Sequence, residues 1–283
     1  MAHESFREKA VIITGASSGI GKALSLQLAQ EGAWLALAAR DAGRLDSLAL
    51  ECERLGGRAI ALPTDVSDEG QCQRLANGAE EHFGHIDMLV NNAGMSVVSM
   101  LEELSDLHLF KQVMDVNFYG TVYCTFHALP YLKASRGRIV NVSSLGGLLA
   151  IPYNTPYVSS KFAMNGFSDS LRMELENDGV SVTVICPYWV VTEFHERYLD
   201  KDGKPKGAAG RALYTTDMMT AEQCAAIIVE AARKRKRQVV MSPGGLGLWL
   251  KLLAPGWMDK LTIQRFLKPV ARRLDEKKGH QDG

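Results

Sequence analysis

The sequence predicts a single-domain α/β protein, a doubly wound parallel β-sheet with helices on both of its faces. Short apolar runs rich in β-branched residues alternate with longer amphipathic stretches, which is the pattern of successive strand and helix units. Parallel strands need crossover connections, and the amphipathic stretches supply them. The length agrees with this prediction, since 283 residues can bury a large core and sheets of this kind often form one domain.

Seven strands and six helices are expected along the chain. The strands are Ala10–Thr14, Trp34–Ala39, Ala59–Pro63, Met88–Asn91, Arg138–Val142, Val180–Cys186 and Gln238–Met241. The helices are Gly21–Gln30, Arg44–Leu55, Gln71–Phe83, Leu107–Lys133, Pro156–Glu176 and Ala221–Arg235. We therefore assign residues 1–241 to one α/β domain, which includes the loop 187–217, and residues 242–283 to a C-terminal extension.

Two segments interrupt the alternation of strands and helices. Residues 187–217 contain three glycines without sustained periodicity, and they are too long for a routine connection, which favours a substrate-binding loop or lid. The extension carries many apolar side chains, and three roles remain open for it: a cover over the substrate cleft, a dimer contact or a membrane-surface segment. Its apolar residues include Leu246, Leu248, Trp249, Leu250, Leu252, Leu253, Trp257, Met258, Leu261, Ile263, Phe266 and Leu267.

Composition excludes some classes of function. Lysine plus arginine equals aspartate plus glutamate at 32 each, so the strong positive field of a general nucleic-acid binder is absent. The five cysteines show no CxxC spacing and are typical of core thiols in a reducing compartment. Neither a signal-peptide core nor an apolar run long enough to span a bilayer is found. We expect a cytoplasmic protein whose partners are small molecules.

A glycine-rich turn, Thr14-Gly15-Ala16-Ser17-Ser18-Gly19-Ile20-Gly21, joins the first strand to the first helix. Glycines at this place let the backbone turn tightly and approach a pyrophosphate held at the helix N-terminus. Glycine also serves tight turns that bind nothing, so the turn alone is a weak signal. Its position between a strand and a helix favours nucleotide binding.

The second strand is followed by Arg40 and Asp41, where dinucleotide sites recognise the adenosine ribose. An arginine can bind a 2′-phosphate in a bidentate manner, which favours NADP(H). Asp41 could instead accept a hydrogen bond from the 2′-hydroxyl of NAD(H), and Arg40 could be a solvent-facing helix start. The charge argument prefers NADP(H) over NAD(H).

Tyr157 and Lys161 stand four residues apart, and Ser144 precedes Tyr157 by thirteen. Side chains at i and i+4 share one face of a helix, so an ammonium could lower the pKa of the phenol and make it a proton donor. The serine hydroxyl could stabilise charge on a carbonyl oxygen. Tyr and Lys at this spacing also occur as a solvated pair, but the glycine-rich turn favours catalysis.

Across residues 9–241 the chain resembles the classical short-chain dehydrogenase/reductase family. The matching motifs are Thr14–Gly21, Asp65-Val66, Asp87, Asn91-Asn92-Ala93-Gly94, Asn117, Ser144, Tyr157 and Lys161. The resemblance implies a strand order of 3-2-1-4-5-6-7 and a catalytic set of Asn117, Ser144, Tyr157 and Lys161. It also implies that the cofactor contacts Gly15, Ser17, Ser18, Gly19, Ile20, Gly21, Arg40, Asp65, Val66, Asn91, Ala93, Gly94, Tyr157, Lys161, Pro187, Val190 and Thr192.

The resemblance assigns further roles and has one departure. Ser144, rather than Ser143, would be the catalytic serine, and Asn117 would hold a water that connects Lys161 to solvent. The sequence after the sixth strand is Pro187-Tyr188-Trp189-Val190, where the family usually has Pro-Gly, which adds bulk near the nicotinamide pocket. The apolar extension resembles the hydroxysteroid-dehydrogenase-like branch, and the family assembly implies a homodimer or tetramer.

The substrate is expected to be a lipophilic ketone, aldehyde or alcohol, because apolar side chains dominate the expected cleft. They are Met95, Val97, Leu148, Ile151, Tyr153, Tyr188, Trp189 and Phe194, which could also be core residues. The basic run Arg233–Arg237 is either a helix C-terminus in water or part of a membrane-surface patch. A non-catalytic NADP(H)-binding redox sensor is the alternative function.

Overall fold

The computed structural model describes residues 5–207, 218–241 and 251–264. Its main sheet has seven parallel strands in the order β3-β2-β1-β4-β5-β6-β9. Because β9 is the seventh strand predicted from the sequence, this confirms the expected order 3-2-1-4-5-6-7. These strands are β1 Ala10–Thr14, β2 Trp34–Ala39, β3 Arg58–Pro63, β4 Met88–Asn91, β5 Arg138–Val142, β6 Ser181–Pro187 and β9 Gln238–Met241. Two short strands, β7 Val190–Val191 and β8 Met219–Thr220, pair with each other in a second sheet.

Helices cover both faces of the main sheet. They are α1 Gly19–Gln30, α2 Ala42–Arg54, α3 Glu69–Phe83, α4 His108–Met114, α5 Gly120–Ala134, α6 Thr155–Glu174 and α7 Ala221–Arg233. Alternate residues of β1 explain the two cores: Val11 and Ile13 pack with α1, α2 and α7, whereas Ala10 and Ile12 pack with α3, α5 and α6. The single-domain α/β prediction is therefore confirmed for the described residues.

The predicted helix Leu107–Lys133 is present, but it is not a regular α-helix in its middle. The structure has α4, then a π-helical turn over Asp115–Tyr119, then α5. A π turn inserts one extra residue, is rare, and occurs frequently at functional sites. Local apolar patterning did not show where this insertion falls, so the sequence predicted one helix.

The strand order places a crevice between β1 and β4. Chain connections leave these neighbours in opposite directions, and in open parallel sheets ligands bind outside the carboxyl ends of the strands at such a switch point. The glycine-rich turn follows β1, Asn91 ends β4 and Ser144 comes shortly after β5. The fold thus brings the predicted motifs to one edge of the sheet.

The two irregular segments are described in part. The loop after β6 runs through β7 and a series of turns to residue 207, and residues 208–217 of the predicted loop lie outside the described residues. Of the predicted extension, only residues 251–264 are described, and residues 255–264 form a helix. None of the described helices combines the length and apolar character that a membrane crossing requires.

Candidate active site

The glycine-rich turn is a tight backbone cradle at the start of α1. Gly15 and Gly19 have φ of +64° and +53°, which side chains disfavour. A Cβ on Gly21 would lie 2.3 Å from the carbonyl oxygen of Gly15. Ser18 is the N-cap of α1 but makes no side-chain cap hydrogen bond, so the first amides of the helix remain available to an anion. This backbone fits a pyrophosphate.

Two residues that were quoted in the motifs but not predicted as site residues hold this turn in place. The Asn92 amide donates to the carbonyl oxygens of Thr14 and Gly15 at 3.0 and 3.2 Å. The Thr14 hydroxyl accepts from the backbone nitrogens of Asn92 and Ala93 at 2.9 and 3.1 Å. The sequence could have indicated these contacts, because Thr14 and Asn92 lie at the carboxyl ends of two strands that are neighbours in the expected sheet.

Asn91 contributes to the groove differently from its neighbours. Its side chain is buried and donates to Asn141 Oδ1 at 2.8 Å and to Thr125 Oγ1 at 3.1 Å. It therefore faces the interior between β4, β5 and α5, and only its backbone adjoins the crevice. The sequence could not predict this, because period two places a strand residue on a face without naming its partner.

Arg40 and Asp41, which follow β2, differ in whether their side chains have partners within the protein. Asp41 is the N-cap of α2, and its carboxylate accepts from the backbone nitrogen of Arg44 at 3.0 Å. Arg40 is exposed, and within the described parts of the chain its guanidinium has no hydrogen-bond or ion-pair partner. The aspartate is thus engaged by its helix, while the arginine is available to a phosphate.

Asp65 and Val66 lie beyond β3 on the same side of the sheet. The Asp65 carboxylate accepts from the Ser67 backbone nitrogen and hydroxyl at 3.0 and 2.7 Å. Val66 is buried, and its side chain leaves no space for a Cβ on Gly120, which would lie 2.8 Å from Val66 Cγ2. These contacts fix a small wall beside the carboxyl end of β3.

Tyr157 and Lys161 lie one turn apart on α6, as predicted. The Lys161 side chain is only 3% exposed, and its ammonium donates to the Val142 carbonyl oxygen at 2.9 Å. The Ser144 hydroxyl is a hydrogen-bond partner of the Tyr157 phenol and also accepts from the Gly146 backbone nitrogen at 3.0 Å. Phenol, hydroxyl and ammonium therefore converge at the carboxyl end of β5.

The neighbouring serines point in opposite directions. A Cβ on Gly146 would lie 3.4 Å from Ser144 Oγ and 3.5 Å from Tyr157 Cε1, which places Ser144 beside the phenol. Ser143 is buried, and a Cβ on Gly147 would lie 2.7 Å from its hydroxyl oxygen. The structure thus puts Ser144 at the tyrosine, in agreement with the choice made from the family spacing.

The expected lowering of the Tyr157 pKa by Lys161 is wrong for this arrangement. Burial raises the pKa of Tyr157 to about 12, and the Ser144 hydrogen bond opposes this only in part. Burial lowers the pKa of Lys161 to about 8, because the charged form loses hydration. The ammonium lies 5.7 Å from the tyrosine ring centroid and is turned toward Val142, so desolvation exceeds attraction.

Asn117 lies in the π-helical turn and is fully buried. Its amide oxygen accepts from the Met95 nitrogen at 2.8 Å, and its amide nitrogen donates to the Met95 carbonyl and to Ser160 Oγ at 2.9 Å each. A Cβ on Gly94 would lie 3.3 Å from Asn117 Oδ1 and 3.9 Å from Lys161 Nζ. The four predicted catalytic residues are thus brought into one region.

The loop after β6 covers the opening of the crevice. Pro187 ends β6, Val190 is buried in β7, and a Cβ on Gly19 would lie 3.1 Å from the Thr192 side chain. The Phe194 ring centroid lies 6.2 Å from that of Tyr157. One loop therefore contacts both the phosphate turn and the tyrosine.

Aromatic side chains dominate this part of the cleft. Trp189 stacks on His195 with ring centroids 5.3 Å apart, and Tyr188 and Phe194 adjoin them. Val97 is fully buried, which agrees with the core alternative that the sequence left open for these residues.

The extension contacts the rest of the chain through Lys251. Its ammonium donates to the Leu148 carbonyl oxygen and lies 4.3 Å from the Phe162 ring centroid. Beyond it, Leu253 and Trp257 are 81% and 59% exposed. The extension is therefore anchored next to the loop that follows Ser144, and it presents apolar side chains outward.

Most side chains of the basic run at the end of α7 bond to other residues of this chain. Arg233 pairs with Glu31 at 2.7 Å, Lys234 pairs with Glu230 at 2.7 Å, and Arg237 pairs with Asp169 at 3.3 Å. Arg235 donates to the carbonyl oxygens of Arg136 and Gly137. These contacts favour the helix-terminus interpretation over a membrane-surface patch.

Comparisons with known proteins agree with this geometry. The model of a family described as short chain dehydrogenase matches residues 9–203. The 11-beta-hydroxysteroid dehydrogenase 1A of Arabidopsis thaliana is 38% identical over 247 residues, which cover 83% of this chain and 69% of the relative. The 11-beta-hydroxysteroid dehydrogenase A of Sesamum indicum is 37% identical over 262 residues, covering 89% of this chain and 73% of the relative.

A solved structure is similar over most of both chains. It is a short chain dehydrogenase/reductase from Burkholderia phymatum in complex with NAD, which superimposes with a TM-score of 0.80 at 30% identity. The match covers 88% of this chain and 94% of that chain.

We predict that Gly21→Ala weakens nucleotide binding at least about tenfold, because the new methyl group would clash with the Gly15 carbonyl and force the turn open. Isothermal titration with NADPH and NADH measures the loss. Gly166→Ala in α6 is the matched control, since a Cβ there meets no atom within 4 Å. It should keep wild-type affinity and gain up to about 1 kcal/mol in unfolding free energy. Equal affinities for the two variants would contradict the assignment of the turn.

We further predict that Lys161→Met flattens the dependence of stability on pH. The folded-state pKa of Lys161 is lowered to about 8 from 10.5, so between these values the unfolded chain binds more protons and wild-type stability gains from rising pH. The gain from pH 8 to pH 10, relative to the variant, should be roughly 2 kcal/mol. Urea unfolding across this range measures it, with Lys22→Met, an exposed position, as the control. Parallel curves for wild type and Lys161→Met would refute the buried ammonium.

Proposed function

The chain belongs to the short chain dehydrogenase family and is an oxidoreductase of the carbonyl and alcohol class, and we propose that it uses NADP(H) to interconvert a lipophilic ketone or aldehyde with its alcohol. The observation that carries this proposal is the convergence of the Tyr157 phenol, the Ser144 hydroxyl and the Lys161 ammonium below the loop that also covers the glycine-rich turn.

The residues at the crevice fit a nicotinamide dinucleotide, which supplies or accepts the hydride when bound. The turn offers backbone amides and missing side chains, and Arg40 offers a cation that has no partner among the described residues. We propose that the cofactor is held by Gly15, Ser17, Ser18, Gly19, Ile20, Gly21, Arg40, Asp65, Val66, Asn91, Ala93, Gly94, Tyr157, Lys161, Pro187, Val190 and Thr192.

Proton transfer falls to Tyr157. With its pKa raised to about 12 the phenol keeps its proton at neutral pH, so it can donate that proton to a substrate oxygen during reduction. Ser144 shares the hydrogen bond and can stabilise negative charge on the same oxygen. In the reverse direction the phenolate accepts the proton of the alcohol.

Lys161 and Asn117 return the proton to the phenol. A phenolate that forms beside a buried ammonium is stabilised by its charge, and that attraction grows in a desolvated site. The Lys161 pKa of about 8 is close to neutral, so this group can release and regain a proton readily. Asn117 and Ser160 connect the neighbourhood of Lys161 with the Met95 backbone, which supports a proton path along the π-helical turn.

Cofactor choice depends on the end of β2. Because Asp41 is engaged as the cap of α2, the exposed Arg40 is the side chain better placed to recognise the ribose substituent. This supports NADP(H) over NAD(H). The similar structure from Burkholderia phymatum contains NAD, which keeps NAD(H) as the second candidate for this chain.

A lipophilic substrate is supported by the aromatic loop beside Tyr157 and by the names of the relatives, which are hydroxysteroid dehydrogenases. Buried aromatic walls leave the polar groups of a sugar unpaired and so select against it. We propose that the extension forms part of this wall, because Lys251 donates to the Leu148 carbonyl oxygen and contacts the Phe162 ring.

Assembly and location follow the same reasoning. The Phe126 and Met173 side chains on α5 and α6 are 67% and 74% exposed, and a second copy of the chain could cover them. We propose a homo-oligomer through these helices in the cytoplasm, where the five buried free thiols stay reduced. A non-catalytic redox sensor remains the alternative function, although such a protein would need none of the four catalytic residues.

Arg40→Ser tests the choice of cofactor. Loss of the guanidinium should raise the Kd for NADPH about tenfold and leave that for NADH within about twofold, since only NADPH carries the 2′-phosphate. Fluorescence titration of both nucleotides measures the two constants. Equal binding of NADH and NADPH by the wild-type protein would exclude the NADP(H) preference.

Tyr157→Phe tests the catalytic function itself. Removing one oxygen atom should lower kcat at least about a thousandfold, because the substrate oxygen loses its proton donor, while the Kd for NADPH stays within about twofold. NADPH oxidation is followed with a panel of lipophilic and small polar carbonyl compounds. Retained turnover would refute Tyr157 as the proton donor, and reduction of the polar compounds alone would overturn the substrate class.

A further inference from the structure

Three charged side chains form a network across the crevice, which we call the loop clasp: Glu193, Arg44 and Arg197. Glu193 Oε2 accepts from Arg44 Nη1 at 2.9 Å and also from Arg197 Nη2. Arg197 Nη1 donates to the Ser18 hydroxyl at 3.0 Å. Glu193 and Arg197 belong to the loop after β7, whereas Arg44 lies in the first turn of α2 and Ser18 caps α1.

The loop clasp spans two places that a dinucleotide needs. Ser18 marks the N-terminus of α1, where a pyrophosphate binds, and Arg44 stands four residues after Arg40, at the corner that recognises the ribose. Glu193 lies between them and is bonded to both arginines. The loop therefore brings a carboxylate to the adenosine half of the crevice, where the ligand itself is anionic.

Of the two arginines near the proposed ribose site, Arg44 is paired with carboxylates and Arg40 is not. Arg44 is shared between two carboxylates, Glu193 at 2.9 Å and Asp41 at 3.5 Å, whereas Arg40 has neither as a partner. Glu193 accepts a hydrogen bond from Arg44, and this bond is the main reason that the pKa of Glu193 lies below its usual range. Glu193 is therefore ionised at neutral pH. A 2′-phosphate at this corner would compete with Glu193 for Arg44 and would be repelled by the remaining carboxylate.

We propose that Glu193 is a specificity-determining residue whose carboxylate opposes a 2′-phosphate on the cofactor, so that the loop clasp limits the preference that Arg40 creates. The proposal rests on the proposed nucleotide function. Arg40 and Glu193 then act in opposite directions on the same part of the cofactor. Arg40 favours binding of the 2′-phosphate, and Glu193 weakens that binding because it occupies Arg44.

Glu193→Gln tests the proposal, because it removes the charge and keeps the size of the side chain. Isothermal titration with adenosine 2′,5′-bisphosphate and with 5′-AMP measures binding without turnover, and the ratio of the two Kd values isolates the 2′-phosphate. We expect binding of the bisphosphate to tighten about three- to fivefold and that of 5′-AMP to stay within about twofold. NADPH and NADH should follow the same ratio.

Three further variants sharpen the result. Asp202→Asn removes a carboxylate from the same loop that pairs only with its neighbour Lys201 among the described residues, and it should leave the ratio unchanged. Glu193→Ala should act like Glu193→Gln, so that either neutral variant suffices if the other fails to fold. In Glu193→Gln/Arg44→Gln the gain should fall by at least half, because the released Arg44 is its source.

The outcomes separate the two proposals. An unchanged ratio in both neutral variants, with wild-type nucleotide binding intact, would overturn the role of Glu193 alone. Equal tightening of both nucleotides would also overturn it, since that result reflects loop opening rather than charge. Absence of nucleotide binding by the wild-type protein would overturn the proposed function and the role of Glu193 with it.

Discussion

Burial of the Lys161 ammonium is the constraint on which the candidate active site depends. A charge that is 3% exposed is costly unless a strong acceptor satisfies it, and the Val142 carbonyl oxygen does so at 2.9 Å. Val142 is the last residue of β5, so the ammonium is held at the carboxyl end of that strand. The end of β5 and the face of α6 are therefore fixed relative to each other, and Tyr157, one turn before Lys161, is fixed with them.

The π-helical turn supplies a second set of hydrogen bonds to the buried site. Its fully buried Asn117 bonds the Met95 backbone and Ser160 through the side-chain amide. Ser160 in turn donates to the Tyr157 carbonyl oxygen at 2.7 Å. The helix that carries the tyrosine is thus braced from β5 by Lys161 and from the π-helical turn by Ser160.

The sequence predicted the elements well, because strand periodicity, glycine spacing and the Tyr-Lys interval are local. All seven long strands occur within one residue of their expected bounds at each end. Three features escaped it because they depend on contacts between distant segments. They are the position of the extra residue at Asp115–Tyr119, the contacts of the Asn91 side chain with Thr125 and Asn141, and the sign of the Tyr157 pKa shift, which depends on burial. Pairing of Glu193 with Arg44 likewise joins residues 149 positions apart.

The loop after β6 couples the two halves of the crevice physically. Thr192 and Arg197 contact the glycine-rich turn, and Phe194 between them adjoins Tyr157. A displacement large enough to release the turn would also move the aromatic wall, since residues 192–198 form a continuous series of turns bonded to each other. Exposed ion pairs of this kind contribute little to stability, so their number near the crevice is better explained by positioning. Opening for nucleotide exchange and exposure of Tyr157 to solvent should therefore be one event.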